Sequence, residues 1–196
     1  MQAFKPRLDI LPDPQRRLWD ELVHMPEDFI LYGGTAIALH LGHRNSADFD
    51  FFSTVPFAPD RLYASLPFLA GAQILQSKPG TLTCLVHRGG PVRISFFGLP
   101  NLGRVADPVQ APDNHPKIAA LLDLAGMKAA TVPHRAEVKD YLDMDAMLKA
   151  GVVDLPTALA AASAIYGKKQ FNAQLTLKAL YYYPSFSCFL CTFPGL

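Results

Sequence analysis

The sequence has little that would commit it to an oxidising compartment or a membrane. Its 196 residues include three cysteines, Cys84, Cys188 and Cys191. An odd and sparse set does not build a disulfide framework, and it points to a reducing compartment, the cytoplasm. Cys188-x-x-Cys191 has no second pair to complete a zinc site and reads as incidental. The six histidines, His24, His40, His43, His87, His115 and His134, lack zinc-ligand spacing. No run of about 18 apolar residues occurs, so no transmembrane helix and no membrane partner is expected. The stretch from Met1 to Pro14 carries Lys5, Arg7, Asp9 and Asp13 and no apolar segment, so a signal peptide is not expected there. Neither sign of charge dominates: 18 Lys and Arg against 17 Asp and Glu leave a net charge of +1. That balance excludes bulk electrostatic attraction to nucleic acid or lipid, though not a local basic patch.

What is present is a chain that is 50% hydrophobic, enough to bury a core. Apolar spacing predicts a helix over Pro14 to Met25 and a buried strand over Phe29 to Tyr32 that stops at Gly33-Gly34. A short helix over Thr35 to Leu41 and a strand over Ala47 to Phe52 follow. Pro59 to Leu69 has helical spacing. Strands are expected at Ala72 to Gln76, Thr81 to His87 and Val92 to Phe97, the last two joined by the turn Arg88-Gly89-Gly90-Pro91. Gly98 to Pro116 reads as loop. Lys117 to Ala130, Ala136 to Lys149, Leu155 to Tyr166 and Phe171 to Tyr183 read as helices. Strands come early and helices late, so the class is α/β (α+β): a mixed sheet flanked by helices over residues 1–110, then a helical region over 111–196.

The chemistry concentrates in Gly33 to Asp50. In a strand, Asp48 and Asp50 point to one face about 7 Å apart, while Phe49 and Phe51 point to the other. Two carboxylates so placed can converge on hard divalent cations. Magnesium accepts one or two carboxylates together with substrate phosphates and water. Asp-x-Asp is often no more than a solvated strand edge, but here three phenylalanines, Phe49, Phe51 and Phe52, surround it. Gly33-Gly34-Thr35 ends one strand and opens a helix, where glycine lets the backbone approach a phosphate and the helix start offers N–H groups. Arg44 suits pairing with a phosphate or clamping the loop to a carboxylate. Ser46, two residues before Asp48, is placed to touch a phosphate or the metal shell.

Leu31-Tyr32-Gly33-Gly34-Thr35-Ala36-Ile37-Ala38-Leu39, followed by His43-Arg44-Asn45-Ser46-Ala47-Asp48-Phe49-Asp50-Phe51-Phe52, resembles the first motif of the AbiEii/AbiGii toxin family within the nucleotidyltransferase superfamily. Asp123 to Ala130 with Arg135 to Asp143 resembles that family's second signature. The resemblance spans roughly Phe29 to Leu148. It implies a nucleotidyltransferase-like fold, Mg2+ or Mn2+, and an NTP substrate. It also implies a toxin-like role in a type IV toxin–antitoxin or phage-defence pair, with tRNA or another RNA as acceptor and a cognate antitoxin as partner. It implies that Lys128 contacts nucleotide phosphates and that Asp140 lies near the active centre. Without it, Lys128 would read as a surface helix lysine, and Arg135, Lys139 and Asp143 as an i,i+4 ladder on one helix.

One departure stands out. Many nucleotidyltransferases carry a third carboxylate on a later strand; the matching strand, Val92 to Phe97, has Ser95 there. Beside the enzyme, two alternatives therefore stand: a degenerate nucleotide-binding protein, and an antitoxin-paired interaction module. The latter gains from the segment Tyr181 to Leu196, which has no charged residue and either packs on a partner, aggregates or is a frameshifted end.

Overall fold

A computed structural model describes residues 4–112, 115–135, 137–167 and 169–182. Cys188, Cys191 and the uncharged segment beyond Tyr182 lie outside the described residues. The chain forms two compact units, Met1–Leu102 with Asp107–Ala120, and Gly103–Ala106 with Leu121–Leu196.

The first unit is built on a mixed sheet. Its strands are β1 (Ile30–Tyr32), β2 (Asp48–Ser53), β3 (Gln73–Lys78), β4 (Thr81–His87), β5 (Pro91–Gly98), β6 (Val109–Gln110) and β7 (Lys117–Ile118), in the order β3-β4-β5-β2-β1-β7-β6. β2 is central, antiparallel to β1 and parallel to β5. Its residues alternate strictly between half-buried and buried. Phe49 and Phe51 are fully buried and sit in register with Ile94 and Phe96 of β5. Phe51 stacks on Phe96 at 5.8 Å, and Trp19 tilts against Phe49 at 6.1 Å. This apolar face leaves Asp48, Asp50 and Phe52 on the opposite one, as the period of two requires. Cys84 is a free cysteine in the same core, where burial pushes its thiol up to about 11.

Helices α1 (Asp13–Trp19), α2 (Gly33–Leu41) and α3 (Pro59–Ser65) belong to this unit. The expected long helix from Pro14 to Met25 is broken: α1 ends at Trp19 and a separate 3-10 turn covers Leu22–His24. At the break the Glu21 carboxylate turns to Arg88, whose Nη2 donates to Oε2 at 2.7 Å and also to the Phe68 carbonyl. Tertiary pairing here outweighs helical spacing. A second correction concerns Lys117 to Ala130, which does not begin as helix. Lys117–Ile118 is a strand parallel to β1, and the Ala119 N–H donates to the Leu31 carbonyl. The free edge of β1 needs those partners for its buried backbone groups, and helix begins only at Leu121.

The second unit is helical: α4 (Leu121–Arg135), α5 (Val138–Lys149), α6 (Leu155–Tyr166) and α7 (Ala173–Tyr181). The Asp154 side chain accepts from the Thr157 N–H and caps α6. Gly126 lets α4 meet α6 closely, since a Cβ there would lie 2.9 Å from the Ala162 nitrogen. α4 contains Pro133, which has no N–H for the carbonyl four residues earlier, that of Ala129. The buried Thr176 hydroxyl of α7 donates to that carbonyl at 2.8 Å. The proline's cost is thus offset by a neighbouring helix.

Thr176→Val keeps the shape but removes the donor. It should cost about 1–3 kcal/mol through the unsatisfied carbonyl, while Thr176→Ser should stay within about 1 kcal/mol of the parent. Urea unfolding of the three proteins checks this; equal midpoints for Val and Thr would refute the account of Pro133.

Candidate functional site

The first group of site residues assembles where β1 passes into α2 beside the start of β2. The helix begins two residues earlier than the spacing indicated, at Gly33 rather than Thr35. Gly33 has φ +74°, which lets the chain leave β1 and enter the helix without an intervening loop. A Cβ at Gly33 would lie 2.9 Å from Asp50 Oδ2. The missing side chain is therefore needed twice, for the backbone angle and for the carboxylate packed against it.

Thr35 is buried and donates to the Asp48 carbonyl, while its oxygen lies 2.7 Å from Ser46 Oγ. A hydroxyl has one proton. With the Thr35 proton on the carbonyl, Ser46 supplies the proton of the second bond. Thr35 and Ser46 thus lock the entrance of β2 to α2, and Ser46 contributes before the strand starts rather than on its face. Arg44 curls over its own loop, with Nη1 donating to the Asn45 carbonyl at 3.0 Å. Gly34 is the second residue of α2.

Across the sheet, β2 and β5 run parallel with Asp48 opposite Arg93 and Asp50 opposite Ser95. Register partners share a face, so Ser95 occupies the position where a third carboxylate would stand. It is buried, at 4% exposure. Arg93 was not singled out from the sequence, yet its Nη2 donates to Asp48 Oδ2 at 2.6 Å. Both side chains of that pair are substantially exposed, 50% and 38%. The only signal for Arg93 was its period-two spacing from Ser95, which needs the register to become meaningful. Among the described residues, no group of three or more His, Cys, Asp and Glu is arranged to hold a metal. The donor set on the face, Asp48, Asp50 and the Ser95 hydroxyl, is nonetheless all hard oxygen. That fits a hard divalent cation completed by water and phosphate rather than one caged by protein.

The second group lies within the helical unit. Lys128 is buried, against the expectation of a surface lysine, because its ammonium is enclosed by two buried carboxylates: Asp140 Oδ1 at 2.6 Å and Asp143 Oδ2 at 2.7 Å. Arg135 completes the network, donating from Nε and Nη2 to Asp140 at 2.7 and 2.8 Å. The ladder expected from Arg135 through Lys139 to Asp143 does not form, since α4 ends at Arg135 and α5 starts at Val138; Lys139 pairs with Glu137 instead. Burial pushes the Asp140 carboxyl up, but its bonds to Arg135 and Lys128 overcome this and hold it below the ordinary carboxylate range. Asp123, also absent from the candidate set, accepts the N–H groups of Val105 at 3.0 Å and Ala106 at 2.9 Å. Burial pushes its carboxyl up, against the pull of those bonds.

Two outcomes follow. Lys128→Ala removes one cation from two buried carboxylates and should cost about 3–5 kcal/mol, where an exposed lysine would cost almost nothing. Because Asp140 is depressed in the folded state, its contribution is complete above the ordinary carboxylate pKa of about 4 and is lost as pH falls through the lowered value. Removing Lys128 should move that acid loss to higher pH. Urea unfolding between neutral and acid pH tests both; an unchanged midpoint would show that the network carries no load. Gly33→Ala should cost about 1–2 kcal/mol through its backbone angle and push the Asp50 carboxylate from its seat. Thermal melting and a structure of the variant check this, and an unmoved Asp50 would contradict it.

Comparison with known proteins gives the family and the fold. The family described as nucleotidyl transferase AbiEii toxin, type IV TA system, matches residues 17–182. An uncharacterised protein of Aquifex aeolicus is 31% identical over 138 residues, which are 68% of this chain and 65% of that protein, so the match spans less than two thirds of the relative. MenT4, a nucleotidyltransferase toxin from Mycobacterium tuberculosis, shares the fold with a TM-score of 0.52 at 15% identity, covering 83% of this chain and 68% of that one.

Proposed function

This chain belongs to the AbiEii nucleotidyltransferase toxin family of type IV toxin–antitoxin systems, and from that premise we propose that it transfers a nucleotidyl group from an NTP to an RNA acceptor such as tRNA. The observation that carries the reading is the seating of Asp50 against the Cα of Gly33, with Asp48 two residues away on the same strand face. One carboxylate thus lies against the first residue of α2, and carboxylate oxygens and helix-start N–H groups are the two things a metal–triphosphate complex requires.

In this reading Asp48 and Asp50 hold Mg2+ or Mn2+, which supplies charge neutralisation of the triphosphate. Gly33 and Gly34 let the backbone reach a phosphate. Thr35 and Ser46 keep the α2–β2 connection rigid, and Arg44 holds the loop between them. Lys128 enters as a fixed cation. The family resemblance implies a phosphate contact for Lys128, whose ammonium Asp140 and Asp143 engage. Asp140 acts by orienting that ammonium. A cognate antitoxin and a cytoplasmic location belong to the same proposal.

A second reading is favoured by one observation, Ser95 in register with Asp50. A serine brings no negative charge, so the chain would bind nucleotide and transfer nothing.

Incubation with labelled NTPs, Mg2+ or Mn2+ and total RNA separates the two. The enzyme should label RNA, and Asp48→Asn with Asp50→Asn should lower the rate by at least about 100-fold, since metal stabilisation amounts to several kcal/mol. Metal-dependent NTP binding with no transfer would instead establish the second reading, and Ser95→Asp should then raise the rate. NTP binding that ignores both the metal and the double variant would exclude both readings.

A further inference from the structure

The face that carries Asp48 and Asp50 already contains a cation. Arg93 stands opposite Asp48 in the β2–β5 register, and its guanidinium contacts Asp48 Oδ2 at 2.6 Å. We infer that Arg93 is the site's own second cation: it competes with a divalent ion for Asp48, limits the face to one such ion, and turns its remaining donors to the phosphates. This rests on the reading of Asp48 and Asp50 as cation ligands.

Charge at the four register positions supports the inference. Asp48 and Asp50 contribute two negative charges, Arg93 one positive charge, and Ser95 none. A pair of divalent ions would bring four positive charges to a net of one negative, with the guanidinium adding like-charge repulsion. One ion is the better match. Arginine stays protonated at any working pH and presents five N–H donors in a planar fork suited to phosphate, so the bond to Asp48 leaves several of them for other acceptors. The Asp48 carboxylate likewise keeps lone pairs for a metal. The pair is half-exposed and within reach of ions from solvent.

Strand packing does not account for the arginine. Val92, Ile94 and Phe96 anchor β5 in the core from its opposite face, and an exposed pair adds little to stability. Variants at Arg93 should therefore fold.

The test is Mn2+ binding to the full chain without nucleotide, followed by electron paramagnetic resonance of the free ion. Wild type should bind one Mn2+ per chain, and Asp50→Asn should lose it. Arg93→Gln keeps the length of the stem without the charge and should tighten binding about two- to five-fold, the range of an exposed ion pair. Arg93→Lys restores a charge and should return affinity toward wild type. In an Asp48→Asn background, Arg93→Gln should no longer tighten binding. Two ions bound by wild type would overturn the inference. So would Mn2+ binding that needs Asp48 and Asp50 yet ignores Arg93→Gln, in which case the carboxylate reading survives alone. Mn2+ binding indifferent to Asp48→Asn and Asp50→Asn would overturn both.

Discussion

The contact between the Gly33 backbone and the Asp50 carboxylate constrains three elements at once. β1 can end and α2 begin without a loop only because residue 33 accepts a positive φ. β2 can bring its second carboxylate to that junction only because residue 33 has no Cβ. The antiparallel pairing of Tyr32 with Asp50 holds both at this depth. Shift β2 by one residue and every side chain changes face: the phenylalanines would leave the core and the aspartates would enter it. The apolar packing of Phe49 and Phe51 therefore fixes where the carboxylates stand, and the glycine allows them to stand so close.

The two groups of charged residues handle their charge differently. In the helical unit, two cations and two buried carboxylates neutralise one another, through Lys128, Arg135, Asp140 and Asp143. Such a network is costly to break and contributes little net stability compared with an apolar equivalent. On the sheet face the charges are half-exposed, and the pair of Arg93 and Asp48 joins opposite signs there across β2 and β5. The first arrangement fixes an ammonium in position. The second leaves oxygens reachable by an ion and its ligands from solvent.

Much of this was legible in the sequence, and the misses have physical causes. The alternation in Asp48 to Ser53 is local, so the strand and its two faces could be read directly. The Gly-Gly turn is local too, although the φ of Gly33 started the helix two residues early. Placing Ser95 beside Asp50 required only that β2 and β5 pair in parallel. What failed depended on partners distant in sequence. Lys117 and Ile118 lead into a helical sequence pattern, yet they answer the hydrogen-bonding need of β1. Glu21 breaks a helix to meet Arg88, 67 residues away. The spacing of Lys128 gave no hint of the carboxylates of α5, and the helix expected to end at Ala130 runs on through Pro133 to Arg135, its freed carbonyl met by a hydroxyl on α7. Arg93 was passed over because an arginine on a strand is ordinary until its register partner is known.

Ser95 and Arg93 are best understood together. A third carboxylate at position 95 would crowd a third negative charge against Asp50, and a second divalent ion would be needed to relieve it. Ser95 removes that charge, and its hydroxyl can still hold a metal-bound water. Two residues earlier on the same face, Arg93 supplies one fixed positive charge at Asp48. The two residues change the charge of the face in the same direction, toward less negative. A serine alone would read as loss of a ligand. A serine with an arginine beside it is a balanced set, in which the protein itself provides part of the positive charge that related chemistry draws from metal.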